Sequence, residues 1–392
     1  MTYFIGLDLA KYKHDCFIMN ESGEVIKDSF SFDNNKSGFN TLLNVLKSLD
    51  PNQEKRIGLE STGHYGSNLK IFLEDNNYTF MEFNPILISK FLKATTLRRT
   101  KTDKIDARVI AIYLSTVSYK PYPIKYYHLR NLKSLCKSRD SLVKERSLQM
   151  VRITNALDLI FPEFKPFFGK QAFKSASFVY LLTNYTLPSK ISNMTIESYN
   201  KMKHKLKHPI SYAKFLEVKK LAKETIGNED PILTFEIETY LDLYKDLDSK
   251  INKFESLILE EYKTTNCHIH TIKGIGDITA ASIYSEIGDI SRFSSPDKLQ
   301  AFAGLDPSRY QSGTSDVDGH MVKHGFSYLR KYLMNSAEMM LIHNPTLYDY
   351  YHKKIESGKS HRVALSHVAK RLIRIIYHLE KYNTNFDINK IR

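Results

Sequence analysis

The first 125 or so residues alternate between patterns typical of strands and patterns typical of helices. TYFIGLDLA, HDCFIMN and VIKDSFSF read as three short strands, and the turn ESGE joins the second and third as a hairpin. Further segments then predict helix, strand, helix and strand in that order: SGFNTLLNVLKSL, KRIGLEST, SNLKIFLED and YTFMEF. Three antiparallel strands followed by alternating units predict a mixed α/β sheet with helices on both faces.

From about residue 126 to 262 the strand pattern disappears and two long helices are predicted. The first covers LKSLCKSRDSLVKERSLQMVRITNALDLIF and ends at Pro162, and the second covers FEIETYLDLYKDLDSKINKFESLILEEY. The second helix repeats apolar residues at the spacing of a coiled-coil seam, which favours self-association or packing over catalysis. Its seam positions are Ile237, Leu241, Tyr244, Ile251, Phe254 and Ile258. A lysine-rich, weakly patterned segment of about 185–225 separates the two helices.

The last 130 residues are predicted to be helical and carry most of the remaining glycine signals. The pattern therefore predicts three regions, 1–125, 126–262 and 263–392, with an insertion inside the second. The fold class is α/β plus all-α.

Composition narrows the choice of partner. The 392-residue chain has a formal net charge of +14 and a pI near 9.3, which favours nucleic acid first and an anionic membrane surface second. No apolar run is long enough for a membrane span, and the N-terminal stretch does not read as a signal peptide. The cysteines Cys16, Cys136 and Cys267 are scattered and odd in number, which favours a reducing cytoplasm. CHIH at Cys267 lacks a second ligand cluster, so a structural role is favoured over zinc.

Two predicted strands end in nearly the same four-residue sequence, IGLD at residues 5–8 and IGLE at 57–60. Side chains alternate along a strand, so Gly6 and Asp8 share one face of the first, and Gly58 and Glu60 share one face of the second. A glycine two residues before an acid is expected to clear space above the sheet for a metal ion and a phosphodiester. If the strands are neighbours, Asp8 and Glu60 converge.

A second pair of carboxylates stands in TKTDKIDARVIA, where Asp103 and Asp106 share one face of a helix that begins near Thr102. Acids also suit the positive end of a helix, so the pair alone says little. Together with Asp8 and Glu60 it predicts divalent metal, because four clustered carboxylates cannot all stay ionised without cations. Two Mg²⁺ ions would suit a phosphoryl transfer.

A sugar-kinase or actin-like ATPase also opens on a strand of the GLDLAK kind. That fold would need glycine-rich phosphate loops later in the chain, and the expected places have none.

KGIGDITAASIYSEIG has the form of a helix-hairpin-helix. Gly274 and Gly276 would lie in the turn, and Ala280 and Ala281 where the helices touch. Glycines at a helix N-terminus expose backbone N–H groups that bind phosphate without reading sequence. DNA binding is favoured over a plain helical hairpin.

Further on, FAGLDPSRYQSGTSDVDGHMVKHGFSYLRKYL contains several structure-breaking residues. Ser312 is therefore predicted to lie in a loop ahead of a helix that starts near Phe326. By itself, a serine among Ser308, Ser312 and Ser315 is most simply a turn residue. Basic residues follow that could neutralise a phosphate: Lys323, His324, Arg330 and Lys331.

The ordered set Asp8, Glu60, TDKIDA, KGIGDITA, FAGLDPSRYQSG and KHGFSYLRKYL closely resembles the DEDD transposases of bridge-RNA-guided insertion sequences. The resemblance covers about two thirds of the chain. It implies an N-terminal RuvC-like domain of ribonuclease H fold, a coiled-coil middle and a C-terminal transposase domain.

The resemblance also implies roles. Asp8, Glu60, Asp103 and Asp106 would be the catalytic tetrad that binds Mg²⁺, and Ser312 would be the nucleophile. Gly274, Gly276, Lys323 and Arg330 are then the expected nucleic-acid contacts. The partners would be donor and target DNA, a structured guide RNA and further copies of the chain, in a bacterial cytoplasm near the nucleoid.

The chain departs from the expected family pattern in an extended segment between the long helices and in Asp316 and Asp318 just after the serine. Three other functions stay open. A Piv-like DNA invertase shares the motifs without necessarily using RNA, a Holliday-junction or flap nuclease needs no nucleophilic serine, and a nucleic-acid-binding protein needs no catalysis.

Overall fold

The computed structural model describes residues 1–61, 63, 65–95, 103–121, 127–312, 315–321 and 325–390. For residues 103–105, 127–128, 307–312, 315–320 and 390 the description is confined to the backbone. The chain divides into two compact units, Met1–Tyr126 and Tyr127–Arg392. The first boundary falls where the strand pattern ends, and the further division of the second unit at residue 262 stays a prediction.

The first unit is a five-stranded mixed sheet with helices on both faces. Its elements are β1 (Thr2–Leu9), β2 (Lys13–Asn20), β3 (Val25–Asp33), α1 (Lys36–Ser48), β4 (Glu54–Glu60), α2 (Ser67–Asp75), β5 (Phe80–Phe83), α3 (Pro85–Thr95) and α4 (Asp103–Thr116). The strand order is β3-β2-β1-β4-β5. β2 is antiparallel to β1 and β3, whereas β4 is parallel to β1 and β5. The predicted strands, hairpin and helices are confirmed, and α3 is an addition.

Alternation along β1 divides the core of this unit between the two faces of the sheet. Ile5 and Leu7 pack with residues of α1 and α2 on one face. Phe4 packs with residues of α4 on the other face. Gly6 and Asp8 share the face of Phe4, because side chains two residues apart on a strand point the same way.

In its described residues, the second unit is helical apart from one hairpin. Its elements are α5 (Tyr127–Ile160), α6 (Phe164–Phe168), α7 (Ala176–Asn184), α8 (Pro188–Ser192), α9 (Ile196–Lys205), α10 (Tyr212–Glu224), α11 (Pro231–Lys263), α12 (Asp277–Ile287), α13 (Pro296–Ala303), β6 (Pro307–Ser312), β7 (Ser315–Met321), α14 (Ser327–His343), α15 (Pro345–Glu356) and α16 (His361–Tyr382). The two strands are antiparallel. The predicted helix near Phe326 is confirmed, with Phe326 as the N-cap of α14. The predicted loop at Ser312 is wrong: cross-strand pairing makes Ser312 the last residue of a strand in a hairpin, which glycine and proline signals alone did not reveal.

α5 and α11 pack against each other in antiparallel orientation. The Arg139 guanidinium Nε donates to Glu255 Oε1 at 2.9 Å, Arg146 pairs with Asp248, and Arg152 lies over the Tyr240 ring. Of the six predicted seam positions, Ile237, Leu241, Ile251 and Ile258 are buried, and Tyr244 and Phe254 are half-buried. Because this seam packs inside one chain, pairing of protomers through these helices requires a different face.

The insertion between the long helices has its own aromatic core. Phe164 stacks on Phe161 and on Phe178 with ring centroids about 5 Å apart, and Phe215 packs against Tyr199. The segment described above as weakly patterned therefore folds into α8, α9 and α10. Their short amphipathic stretches give little periodic signal, and burial against α5 and α11 stabilises them.

Several helices of the second unit begin at a capping residue followed by proline. The side chains of Asp230, Ser295 and Asn344 accept hydrogen bonds from the first turns of α11, α13 and α15. A proline follows each cap, where its missing N–H costs nothing. Among the described helices, none combines the length and the apolar stretch that crossing a membrane requires.

Candidate functional site

Asp8 and Glu60 lie at the ends of neighbouring parallel strands. β1 and β4 pair in register, with Gly6 opposite Gly58 and Leu7 opposite Leu59. The next residues along the two strands are Asp8 and Glu60, which places their backbones about 5 Å apart across the sheet. Because β1 and β4 pair directly, the expectation that these strands are neighbours is confirmed. Asp8 and Glu60 share the face of Gly6 and Gly58.

α4 crosses the same face and begins at the same edge. Near its middle it packs on Gly6 through Ala107 and Ala111. Beyond its C-terminal end, the Tyr119 hydroxyl donates to Thr79 O at 2.9 Å, just before β5 begins. α4 therefore runs opposite to β1 and β4, and its first turn lies at the strand ends where Asp8 and Glu60 stand. Asp103 and Asp106 belong to that first turn.

The prediction that Gly6 and Gly58 clear space above the sheet for a metal ion and a phosphodiester is wrong. A Cβ on Gly6 would lie 2.1 Å from Ala107 O and 2.6 Å from Ala111 N. A Cβ on Gly58 would lie 2.8 Å from the Phe83 ring. The glycines therefore let a helix and an aromatic ring approach the sheet, and they clear no open space for metal or DNA. Close approach of α4 still serves the site, because it holds the first turn of α4 against the sheet.

A third carboxylate on this face was not singled out from the sequence. Asp15 is the cross-strand partner of Asp8 on β2, and its side chain is buried. The Ser31 hydroxyl donates to Asp15 Oδ1 at 2.6 Å. Only the register of the β1–β2 pair identifies this neighbour, since a shift of one residue would turn Asp15 to the other face.

The carboxylates at this edge suit a hard divalent cation such as Mg²⁺, which binds oxygen ligands. Within the part of the chain that the structure describes, no three His, Cys, Asp or Glu side chains are grouped closely enough to bind a metal. The Asp103 side chain lies outside that part, so the four-carboxylate site stays a prediction. The backbone shows that the strand ends and the start of α4 meet at one edge.

The glycine turn ahead of α12 is only in part the predicted helix-hairpin-helix. A short 3₁₀ turn, Ile269–Thr271, replaces the first helix, and Gly276 is the N-cap of α12. Gly274 has φ +100°, and a Cβ there would lie 2.8 Å from the His343 ring. A Cβ added to Gly276 would have no heavy atom of another residue within 4 Å. Gly274 therefore shapes the turn, and Gly276 leaves the N-terminal end of α12 open.

This contrast separates folding from phosphate binding. We expect Gly274→Ala to lower the free energy of unfolding by about 2–4 kcal/mol through backbone strain and overpacking. We expect Gly276→Ala to cost less than about 1 kcal/mol but to weaken DNA binding about 3- to 10-fold by crowding the exposed N–H groups. Thermal unfolding and DNA titrations of both variants measure this. Binding of Gly276→Ala at the wild-type level would exclude this turn as a phosphate contact.

Ser312 is the last residue of β6 and pairs with Ser315 of β7, so it lies beside the turn of the hairpin. The segments that lead into and out of the hairpin contact each other at Gly304 and Gly325. A Cβ added to either glycine would lie too close to the backbone of the other. The Phe326 N–H also donates to Phe302 O at 2.9 Å. The hairpin thus projects from a closed base.

The structure describes only some of the other residues predicted around Ser312. The side chains of Ser308, Ser312, Asp316 and Asp318, and the whole of Lys323 and His324, lie outside the described residues. Arg330 is described, and its Nη1 donates to Ala303 O at 3.1 Å at the end of α13. Arg330 therefore stabilises the base of the hairpin, and a guanidinium keeps other donors for nucleic acid.

Cys267, the cysteine of CHIH, has a structural environment. Its Sγ donates to Glu380 Oε1 at 3.5 Å, and the His268 N–H donates to the same oxygen at 2.8 Å. Burial raises the pKa of the Cys267 thiol to about 12. In this structure Cys267 is therefore a buried packing residue whose thiol is hydrogen-bonded to Glu380.

Comparison with known proteins identifies two regions. Residues 5–162 match a DEDD transposase model of the IS110 kind. Residues 267–352 match the model described as Transposase IS116/IS110/IS902 family. The first match contains most of β1 and all of β4 and α4, and the second contains the glycine turn and the serine hairpin.

Two of three representative relatives match nearly the whole chain, and the third matches about two thirds of it. An uncharacterized 44.8 kDa protein of insertion element IS116 from Streptomyces clavuligerus is 21% identical over 95% of this chain and 93% of its own. The pilin gene-inverting protein of Moraxella bovis is 24% identical over 98% of this chain and 97% of its own. The transposase for insertion sequence element IS1111A of Coxiella burnetii is 25% identical over 63% of this chain and 57% of its own.

The two matched regions carry the strand-end carboxylates and the serine hairpin, respectively. On these matches the chain is a DNA transposase, an enzyme that cuts and rejoins DNA, and its two matched regions are similar to the IS110 and IS116/IS110/IS902 transposase models.

Proposed function

We propose that this transposase is the RNA-guided recombinase of an insertion sequence, and that it cuts and rejoins DNA by serine attack assisted by Mg²⁺. The observation that carries the proposal is the meeting of Asp8, Glu60 and the first turn of α4 at one edge of the sheet. The order β3-β2-β1-β4-β5 is consistent with a ribonuclease H-like, RuvC-like domain.

Asp8, Glu60, Asp103 and Asp106 would hold the metal. When bound, two Mg²⁺ ions would supply Lewis-acid stabilisation for the attacking and leaving oxygens of the phosphoryl transfer. The buried Asp15 beside Asp8 adds a further carboxyl group to this edge, and a cluster of carboxyl groups favours a cation.

Ser312 would be the nucleophile. Its hydroxyl would lose a proton as Oγ attacks the scissile phosphorus, and the bond from phosphorus to one sugar oxygen would break. That sugar oxygen would take up a proton and leave as a hydroxyl, and the DNA would be joined to Ser312 as a phosphodiester. That linkage stores the energy of the broken bond, so rejoining to a new partner needs no ATP. A serine hydroxyl must be activated at neutral pH, and the carboxylate edge of the first unit is the proposed place where this happens.

Assembly of several copies would let the serine of one protomer reach the carboxylates of another. The pair of long helices offers a surface for this, because apolar residues remain exposed outside the buried seam: Leu148, Val151 and Leu159 on α5, and Ile232, Phe235 and Leu243 on α11. The side chains of Ile232 and Phe235 are 70% and 68% exposed. Large apolar side chains left in water favour association, so we propose a dimer or tetramer.

A structured RNA would supply sequence specificity by base pairing, and the protein would bind its backbone and shape. The net charge of +14 supports a large polyanionic partner. Part of that charge stands on the insertion, where Lys201, Lys203, Lys205 and Lys207 of α9 and the following loop are exposed. The insertion would thus extend the RNA-binding surface, and the protein would work in the bacterial cytoplasm.

The RNA partner can be tested directly. We expect purified protein to carry a discrete co-purifying RNA, and we expect exhaustive RNase treatment to abolish recombination of cognate DNA until that RNA is added back. Sequencing of the bound RNA and a recombination assay with and without add-back measure this. Full recombination after RNase treatment and without added RNA would exclude RNA guidance.

The pilin gene-inverting proteins favour a second candidate. Their similarity extends over nearly the whole chain, so a site-specific DNA invertase without a guide RNA is the function that gains if the RNase experiment leaves recombination intact. A metal-dependent junction nuclease would retain the carboxylates but would form no adduct with Ser312.

A further inference from the structure

One face of α5 carries a row of lysines. Lys133, Lys137 and Lys144 are separated by four and seven residues, which places them on the same side of the helix. The row is about 16 Å long at 1.5 Å per residue. This length corresponds to about five base-pair steps along a duplex.

The lysine row contacts the segment that directly follows the serine hairpin. Lys133 Nζ lies 5.1 Å from the centre of the Phe326 ring. Lys137 Nζ and Lys144 Nζ lie 5.1 Å and 5.9 Å from the centre of the Tyr328 ring. Phe326 in turn stacks on Phe302, which precedes the hairpin, with ring centroids 4.2 Å apart. The row therefore runs along the base of the hairpin that carries Ser312.

The lysines at this surface form ion pairs with two buried carboxylates. Glu286 pairs with Lys133 at 3.0 Å and with Lys137 at 3.7 Å. Asp140, on the same face of α5, pairs with Lys331 of α14 at 2.6 Å. Both acidic side chains are 3% exposed, whereas those of Lys137 and Lys331 are about 40% exposed, at 42% and 40%. The surface that reaches solvent is thus positive.

This arrangement fits a phosphate backbone. Lysine side chains lose considerable rotamer entropy when they bind, and the rings and buried acids have already restricted them. Four ammonium groups against two carboxylates leave an excess of positive charge. β6 is six residues long, which places Ser312 within about 20 Å of the hairpin base. A DNA strand that reaches Ser312 can therefore extend over the lysine row.

We propose that the lysine row and Lys331 bind the sugar-phosphate backbone of the DNA next to the phosphate that Ser312 attacks. The proposal rests on Ser312 as the nucleophile for its location and on transposase activity for its ligand. It names a surface that reads no sequence and holds the substrate by charge.

The test compares two double variants of the full-length protein. Lys137→Gln with Lys144→Gln removes two charges from the row and leaves Lys133 to pair with buried Glu286. Lys250→Gln with Lys253→Gln removes two charges from exposed positions of α11 and is the matched control. The probes are a 30-base-pair duplex of random sequence and a single-stranded RNA of equal length, each titrated at several salt concentrations, with thermal unfolding as a check of folding.

We expect the row variant to lower the slope of log affinity against log salt for duplex DNA by about 2, since each lost phosphate contact removes about 0.9. We expect its DNA affinity to fall about tenfold at 0.1 M salt, with RNA affinity and the unfolding temperature close to those of the control. Equal DNA slopes in the two variants would overturn the proposal. Weaker binding of RNA alone would reassign the surface to RNA. Wild-type protein that fails to bind the duplex at all would instead count against the proposed function.

Discussion

Asp8→Ala should reduce strand exchange by about 10³-fold or more, because loss of a metal ligand removes Lewis-acid stabilisation worth several kcal/mol. Nucleic-acid binding should be largely preserved, since removing a carboxylate does not weaken attraction to phosphates. The same result is expected for Glu60→Ala, Asp103→Ala and Asp106→Ala. Recombination assays and binding titrations on the purified variants measure the two effects separately.

The matched control is Asp28→Ala, which removes an exposed acid from β3. A second measurement does not depend on activity: Mg²⁺ or Mn²⁺ should raise the unfolding temperature of the wild type and of the control but not that of Asp8→Ala. A metal-bound crystal structure with the four carboxyl groups more than about 10 Å apart would contradict the site, because the ions of a two-metal site lie about 4 Å apart.

Ser312→Ala should block DNA cleavage by about 10⁴-fold or more, as loss of a nucleophile does in other enzymes that form covalent intermediates. DNA and RNA binding should remain intact, and Ser308→Ala should be tolerated. Mass spectrometry of a trapped reaction should find DNA attached to the peptide that contains Ser312. Adduct formation by Ser312→Ala, or normal recombination with no adduct, would place the protein among the nucleases.

Mixing variants tests how the serine reaches the carboxylates. Neither Asp8→Ala nor Ser312→Ala alone should form the adduct. If one protomer's serine completes the other's metal site, a mixture of the two variants that exchange subunits should recover about a quarter of the wild-type yield, because only mixed dimers contain one intact site. No recovery in an exchanged mixture would mean that each chain uses its own serine.

Much of the first unit was predictable because its signals are local. Alternating apolar residues identified β1, β2 and β4, and helical spacing identified α1 and α2, since each pattern depends only on residues near one another in the chain. The repeated words IGLD and IGLE then located Asp8 and Glu60 on strands. The buried seam of α11 was equally visible, because a long helix repeats its pattern many times.

Only the tertiary structure decided which distant residues meet. The register of β1 against β2 brought Asp15 beside Asp8, and the packing of α4 on Gly6 explained a glycine that the sequence alone assigned to metal access. The serine hairpin was missed because strand pairing joins residues through hydrogen bonds that leave little local pattern. The lysine row on α5 was not recognised from the sequence, because its position beside the hairpin depends on contacts with Phe326 and Tyr328, almost 200 residues away in the chain. Sequence patterns specify elements, whereas contacts between elements depend on packing and register, and it is those contacts that build this site.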